Sequence, residues 1–466
     1  MKKTLLILSL CASMFASHSA KAQDETPYTL TVFNQAVYYG MYEATVSEPL
    51  PEGAIRHSNS SYGKKLTQDQ LDSFGNTLTM TVTLNPLCDN YDRIGNVNLA
   101  FVPKNAESYV YGDVKRIELG RFITPFMDKN ETSVTEVPYV YDLNELANVF
   151  HDAAITAQYD FWVELEVYGY QGGPGQGGAA VEIPGCSNRN DVYMGSLTFE
   201  STTNPELPAP AASFIGPLSF KYELKNYTLD GTDEIGETTK SIYFNLSAPV
   251  ENAKLHVITS NHGSNTNGEE YIRRNHFVYL DDVLKLQYKP GGVSCVPYRD
   301  YNTQINCIYY LCNGTSNPPP RPDNNASWSW NNWCPGDKIP NRVIDLGTLA
   351  AGGHTYKIDV PDAQFAGGQG YFPMSVYLTG DGSAVLSGKA FEQTAVNVYP
   401  NPVNDIATIS AADQTVKAYE VVNTVGQTVL KGSSETINMS QLQSGIYIVK
   451  VTFDNNQTIT KKIIKN

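Results

Sequence analysis

The stretch LCDNYDRIGNVNLAFV, Leu87 to Val102, decides how this chain is read. Val97, Leu99 and Phe101 alternate with Asn96, Asn98 and Ala100, the period-two pattern of a strand with one buried face. Directly before it stand Asp92 and Arg93, an acid and a base side by side behind Cys88 and Tyr91. A single charge suffices at a strand end, so the pair calls for a second reason.

Working outward, the same alternation recurs in YTLTVFNQ, in NTLTMTVTL with Leu78, Met80, Val82 and Leu84 on one face, and in KRIELGRFI and YDFWVELEV. TTNPELPAPAA then has the Pro and Ala of an extended linker. KSIYFNLS, AKLHVITS, HFVYLDDVLKLQY, HTYKIDV and FPMSVYLT form a second series. Short strands joined by turns predict an all-β chain of antiparallel sandwiches, with NELANVFHDAA as a short helix that leaves the class unchanged. The length calls for two or three domains.

Lys2 and Lys3, the apolar run LLILSLCASMFA and the small residues around Ala20-Lys21-Ala22 read as a signal peptide over residues 1–22. Leu10 before Cys11 is too large for a lipoprotein site, and no later stretch is apolar for long enough to cross a bilayer as a helix. The net charge of -15 argues against nucleic acid or an anionic membrane as partner. Cys88, Cys186, Cys295, Cys307, Cys312 and Cys334 remain after export and predict three disulfides, which sequence alone can pair in fifteen ways.

Several motifs carry no chemistry. Gly173-Pro-Gly175-Gln-Gly-Gly178 fits GxGxxG, but AAVEIPGC after it supplies no βαβ helix, so it reads as a glycine loop. The histidines and cysteines show no metal spacing, DGTDEIGE lacks the calcium-loop spacing, and His256 reads as a packed or surface side chain. In DFWVELEVYG, Phe161, Val163, Leu165 and Val167 make the core face. That places Trp162, Glu164 and Glu166 together on the other, where an aromatic beside acids suits a sugar and a solvated face is the plain alternative. Glu269, Glu270, Arg273, Arg274 and His276 form another cluster, in GEEYIRRNH, which by itself reads as a surface turn.

VNVYPNP, VVNTVGQTVL, LQSGIYIVKV and the terminal KKIIKN together resemble the C-terminal sorting domain of type IX secretion, a small β-sandwich placed at residues 395–466. LCDNYDRIGNV, ELGRFITPF, ITSNHG, EEYIRRNH and NNWCPGDKIPNR, in that order, resemble the peptide-N-glycosidase F family, secreted amidases that remove N-glycans. The resemblance implies two antiparallel jelly rolls side by side, residues 23–205 and 206–385, with a cleft between them. It implies N-glycosylated proteins or glycopeptides as substrate, the type IX machinery as partner, no metal or organic cofactor, and a monomer.

Carried over, the essential aspartate falls on Asp92, the acid of the second domain on Glu270 and a further cleft glutamate on Glu166. Arg93 is then expected to orient the Asp92 carboxylate. Tyr91, Tyr271, His262, Trp330 and Trp333 are expected to bind substrate. Tyr91 stands where the family has Trp, and Trp330 stands near the place of a family arginine, departures that bear on glycan preference and core fucose. The resemblance pairs Cys312 with Cys334. Cys295 and Cys307, near neighbours, form the next expected pair, leaving Cys88 with Cys186 to tie the Asp92 loop to the glycine-rich segment. A jelly-roll pair that holds glycans without cutting them is the competing reading.

Overall fold

A computed structural model of the chain describes residues 27–466 except 173–177, 208–211, 304–331, 392–396, 411–414, 424–425 and 454–457. The expected signal peptide, most of the glycine loop, Cys307, Cys312 and Trp330 lie outside the described residues.

The first unit contains β1 (Tyr28–Tyr39), β2 (Ala54–Ser58), β3 (Ser61–Lys65), β4 (Thr77–Pro86), β5 (Ile94–Pro103), β6 (Lys115–Ile123), β7 (Val137–Asp142), β8 (Tyr159–Val167) and β9 (Asp191–Thr202). One antiparallel sheet runs β1-β9-β4-β7 and faces a second. Leu78, Met80, Val82 and Leu84 of β4 meet Val97, Leu99, Val163 and Leu165 in the core between them. NELANVFHDAA forms short helical turns that add Leu146, Val149 and Phe150 to that core.

The second unit contains β10 (Ser213–Leu224), β11 (Thr239–Leu246), β12 (Val250–Thr259), β13 (His276–Leu280), β14 (Val283–Tyr288), β15 (Lys338–Ile339), β16 (Arg342–Leu349), β17 (Gly352–Asp359), β18 (Phe372–Asp381) and β19 (Leu386–Phe391). Its sheets run β10-β18-β12-β16 and β14-β13-β17-β11-β19 around a separate core. β15 departs from this unit. It pairs with Arg121 and Phe122 of β6 and becomes the edge of the first unit's second sheet, ordered β15-β6-β5-β8-β3-β2. Residues 397–466 form two further antiparallel sheets around a third core.

The alternation in β5 and β8 predicts one wet face, but both faces are buried. Trp162 is packed against Ala100, Val102, Tyr109 and Ile55. Glu164 is held by Arg116, Nε to Oε2 at 2.8 Å, and by Tyr109. The two glutamates can be buried here because each finds a cation, Arg116 of β6 for Glu164 and Lys221 of β10 for Glu166.

Candidate functional site

The Asp92 loop is shaped from below. Asp89 is fully buried, accepts from the backbone N–H groups of Tyr91 (3.0 Å) and Tyr170 (2.7 Å), and accepts from Arg93 Nε at 3.0 Å. Arg93 is thus the partner of Asp89, not the clamp on Asp92 that adjacency suggested. Neighbours along the chain point apart, whereas an offset of four lets the loop fold back. Thr124 of the ITP segment grips the loop on both sides of Asp92. Its hydroxyl accepts from Arg93 N–H and donates to the Tyr91 carbonyl, both at 2.7 Å. Gly95 is required where the chain enters β5, since a Cβ there would lie 2.0 Å from the Phe122 ring.

The opposite wall comes from the second unit. Glu269 is fully buried and spent on Arg274 (2.8 Å) and the Gln364 N–H (2.9 Å). Its neighbour Glu270 instead faces the cleft, touched by the Gly263 N–H at 3.4 Å. Asn332 fixes this turn by donating to the Glu270 carbonyl at 2.7 Å and the Glu269 carbonyl at 2.9 Å. Trp333, next in sequence, stacks at a tilt on His262 with ring centres 4.5 Å apart.

Between these walls lies a cleft of about 910 Å³ lined by Asp92 and Arg93 from the first unit and His262, Glu270, Tyr271 and Trp333 from the second. That volume suits a disaccharide-sized ligand and more. Burial, then the charge of Glu270, pushes the Asp92 carboxyl up to about 7, against a smaller lowering by Arg93 and Trp333. Glu270 is also raised, by burial, and opposed by the Gly263 N–H and Arg93. The charge of Glu270 bears on Asp92, so the two carboxyls titrate as a coupled pair. Near neutral pH the pair therefore passes through a state with one proton between two carboxyls.

The structure separates the expected site residues. Asp92, Glu270, Arg93, Tyr91, Tyr271, His262 and Trp333 share the cleft. Glu166 does not: it is 1% exposed and ion-paired to Lys221 of β10, with Tyr111, Tyr168 and Ser61 as further partners. Burial would raise its pKa, but the Lys221 charge and these hydrogen bonds hold it below the ordinary value. The sugar-binding role expected for Glu166 is corrected to that of an interdomain tie. Its partner arrives from another unit, which strand alternation cannot reveal.

Cys88 is joined to Cys186, Cα atoms 5.5 Å apart. Around that bond Ala179 and Ile183 pack, and Asn90 donates to Glu182 at 3.1 Å, so the Asp92 loop is tied to the segment after the glycine run. Cys334 bonds Cys295, Cα to Cα 5.3 Å, which overturns the expected pairs Cys312–Cys334 and Cys295–Cys307. Both cysteines pack on Phe126 beneath the cleft, a proximity created by folding and invisible in spacing.

Several cleft residues escaped sequence reasoning. Tyr42, Tyr168, Tyr170, Lys221, Glu223, Tyr371 and Arg121 line it as well. Arg121 carried a signal in GRFITP without a role. A register shift beside Val97 and Asn98 leaves Leu119 as an extra residue in β6. Glu118 and Arg121 consequently share a face and pair at 2.7 Å, which an unbulged strand forbids at that offset.

Residues 29–170 match the family model "Peptide-N-glycosidase F, N terminal", and residues 232–379 match "Peptide-N-glycosidase F, C terminal". Residues 397–466 match "Secretion system C-terminal sorting domain", which marks the chain for type IX secretion and so for the surface or the medium. The solved structure of PNGF-II in space group C2 is similar with a TM-score of 0.51 at 19% identity, covering 76% of this chain and 65% of that one. PNGase F from Flavobacterium meningosepticum, a glycosylasparaginase, is matched over 100% of its length by 78% of this chain at 14% identity and a TM-score of 0.46. Among curated proteins, ulvan lyase NLR42 of Nonlabens ulvanivorans is 33% identical over 89 residues, 18% of this chain and 17% of its own. The chain thus spans less than a fifth of that curated relative and 65% of PNGF-II. With the N-terminal and C-terminal family models both matched in order, the chain belongs to the peptide-N-glycosidase F family and carries a C-terminal sorting domain of the type IX system.

Proposed function

We propose that this protein is a secreted peptide-N-glycosidase that hydrolyses the amide between an asparagine side chain and the first N-acetylglucosamine of an N-glycan. The observation that carries the reading is the meeting of two carboxyls, Asp92 and Glu270, from different units on one cleft, with Asp92 raised to about 7.

Amide resonance makes the carbonyl a poor electrophile and the nitrogen a poor leaving group, so one step needs a base and the other an acid. Glu270, as the ionised member of the pair, takes a proton from a water as the water oxygen adds to the amide carbon. Asp92, still protonated near neutral pH, gives its proton to the nitrogen as the C–N bond breaks. The products are an aspartate side chain and a glycosylamine. Because the bond broken is a carboxamide C–N, carboxylate-separation rules for glycosidic bonds do not govern the site. Arg93, anchored by Asp89, supplies fixed positive charge that both carboxyls feel. Tyr91, Tyr271 and Trp333 offer faces and edges on which pyranose rings rest.

The test is to incubate the purified protein with N-glycosylated peptide and weigh the peptide by mass spectrometry. The reading requires loss of the whole glycan with conversion of asparagine to aspartate, abolished by Asp92→Asn. Glycan retention across high-mannose, complex and core-fucosylated peptides would replace it with glycan binding.

A further inference from the structure

His262 lines the cleft, yet the amidase reading gives it no defined task. Its surroundings fix which of its two nitrogens carries the proton. Arg121 Nη1 donates to Ser260 Oγ at 2.9 Å, and an arginine can only donate. Ser260 Oγ lies 2.7 Å from His262 Nε2, the acceptor left for its one hydroxyl proton among the described residues. When Ser260 donates that proton, Nε2 accepts, and the neutral ring then holds its own proton on Nδ1. Burial, then the Arg121 charge, lowers the imidazole to about 3, so the ring stays neutral. Nδ1 has no hydrogen-bond partner among the described residues and is not among their buried unpaired atoms.

The relay is held rigidly. Arg121 is fully buried, its Nε and Nη2 on Glu118 at 2.8 and 2.7 Å and its Nη1 also on the Pro373 carbonyl at 2.6 Å. His262 is bridged through its backbone to Tyr371 in both directions and covered by Trp333. Arginine comes from one unit and serine and histidine from the other, so the relay exists only when the two are joined.

We propose that Arg121 and Ser260 lock His262 as its Nδ1–H tautomer, so that the imidazole donates a hydrogen bond to an amide carbonyl oxygen of the bound substrate. This rests on the amidase reading. Arg121 and Ser260 are positioning residues, and His262 touches substrate. A neutral donor suits this cleft. An imidazolium would stabilise the ionised form of Asp92 and strip the proton required for the leaving nitrogen. Two substrate carbonyls share the chemistry, that of the scissile amide and that of the sugar's acetamido group.

Two-bond proton–nitrogen correlation spectra of protein labelled with nitrogen-15 histidine read the tautomer directly. We expect a protonated Nδ1 and an unprotonated Nε2 at both about pH 6 and about pH 8. Ser260→Ala should mix the tautomers and lower kcat/KM about tenfold, the worth of one hydrogen bond, while Ser260→Thr restores both readouts. His262→Asn, which keeps an N–H near the Nδ1 position, should lose less activity than His262→Gln. A glycopeptide carrying glucosamine in place of N-acetylglucosamine identifies the acceptor. A His262→Gln loss that vanishes on it assigns the acetamido oxygen, and one that persists assigns the scissile amide. A wild-type Nε2–H tautomer, or Gln outperforming Asn, overturns the donor role alone. An uncleaved glycopeptide with the expected tautomer overturns the amidase reading and the donor role with it.

Discussion

Two sets of acids in this molecule began with the same chemistry and met opposite fates. Glu164 and Glu166 on β8 each have a dedicated cation, Arg116 and Lys221, and phenol hydroxyls besides. Among the described residues no cation is dedicated to Asp92 or Glu270: Arg93 is engaged by Asp89, and the charge of Glu270 bears on Asp92 instead. Glu166 is accordingly lowered and Asp92 raised. A buried carboxylate with its own counter-ion is structure, whereas one that must share a proton with a second carboxyl is poised for proton transfer.

The sharpest way to break this contrast is to neutralise one acid from each set. Asp92→Asn should lower turnover of glycopeptide by about 10²–10⁴-fold, the range for a lost general acid, in a mass-spectrometric assay. Its effect on stability should have the opposite sign. The folded Asp92 releases its proton near 7 and the unfolded one near 3.8, so the folded state is progressively disfavoured as pH rises between these values. Asparagine cannot ionise, so the variant should melt higher than wild type above pH 7 and alike below 3.8. A lower melting temperature at pH 8 would defeat the argument.

Glu166→Gln should do the reverse, leaving the half-buried Lys221 without its counter-ion. A destabilisation of about 3–5 kcal/mol in denaturant titrations is expected, with Glu166→Leu/Lys221→Met recovering most of it. Should Glu166→Gln fold as stably as wild type yet lose glycopeptide binding, the tie would be a binding group after all. Replacing Cys88 and Cys186 with serine should cost about 2–4 kcal/mol, seen in the same titrations. The smallest effect tests the coupling itself. Glu270→Gln removes the second cause of the Asp92 shift, so carbon-13 titration of that carboxyl should move down from about 7 while burial keeps it above 3.8. An unmoved titration would mean the two groups do not sense each other.

Much of the fold was legible because alternation in β4, β5 and β8 reports a core face directly. What alternation cannot report is what covers the other face. Trp162, Glu164 and Glu166 looked wet because their partners, Tyr109, Arg116 and Lys221, lie elsewhere in the chain, one of them in another unit. Lys221 adopts a left-handed conformation at a bulge in β10, φ 46°, and no local pattern in FKYEL announces that turn toward Glu166. Asp92 and Glu270 were legible through their motifs and not through periodicity. Asp89 stands in the same motif without a signal of its own, since its work is done through buried contacts to the Tyr91 and Tyr170 backbone and to Arg93. The Cys295–Cys334 bond joins residues across a segment whose course spacing does not encode.

The two-residue strand β15 has a consequence for how the chain can be divided. Because Lys338 and Ile339 finish a sheet built otherwise from the first unit, that unit made alone would present an open β6 edge, a template for pairing with strangers. The two halves are therefore interlocked: exchanging one for a foreign domain would also remove the strand that seals the other.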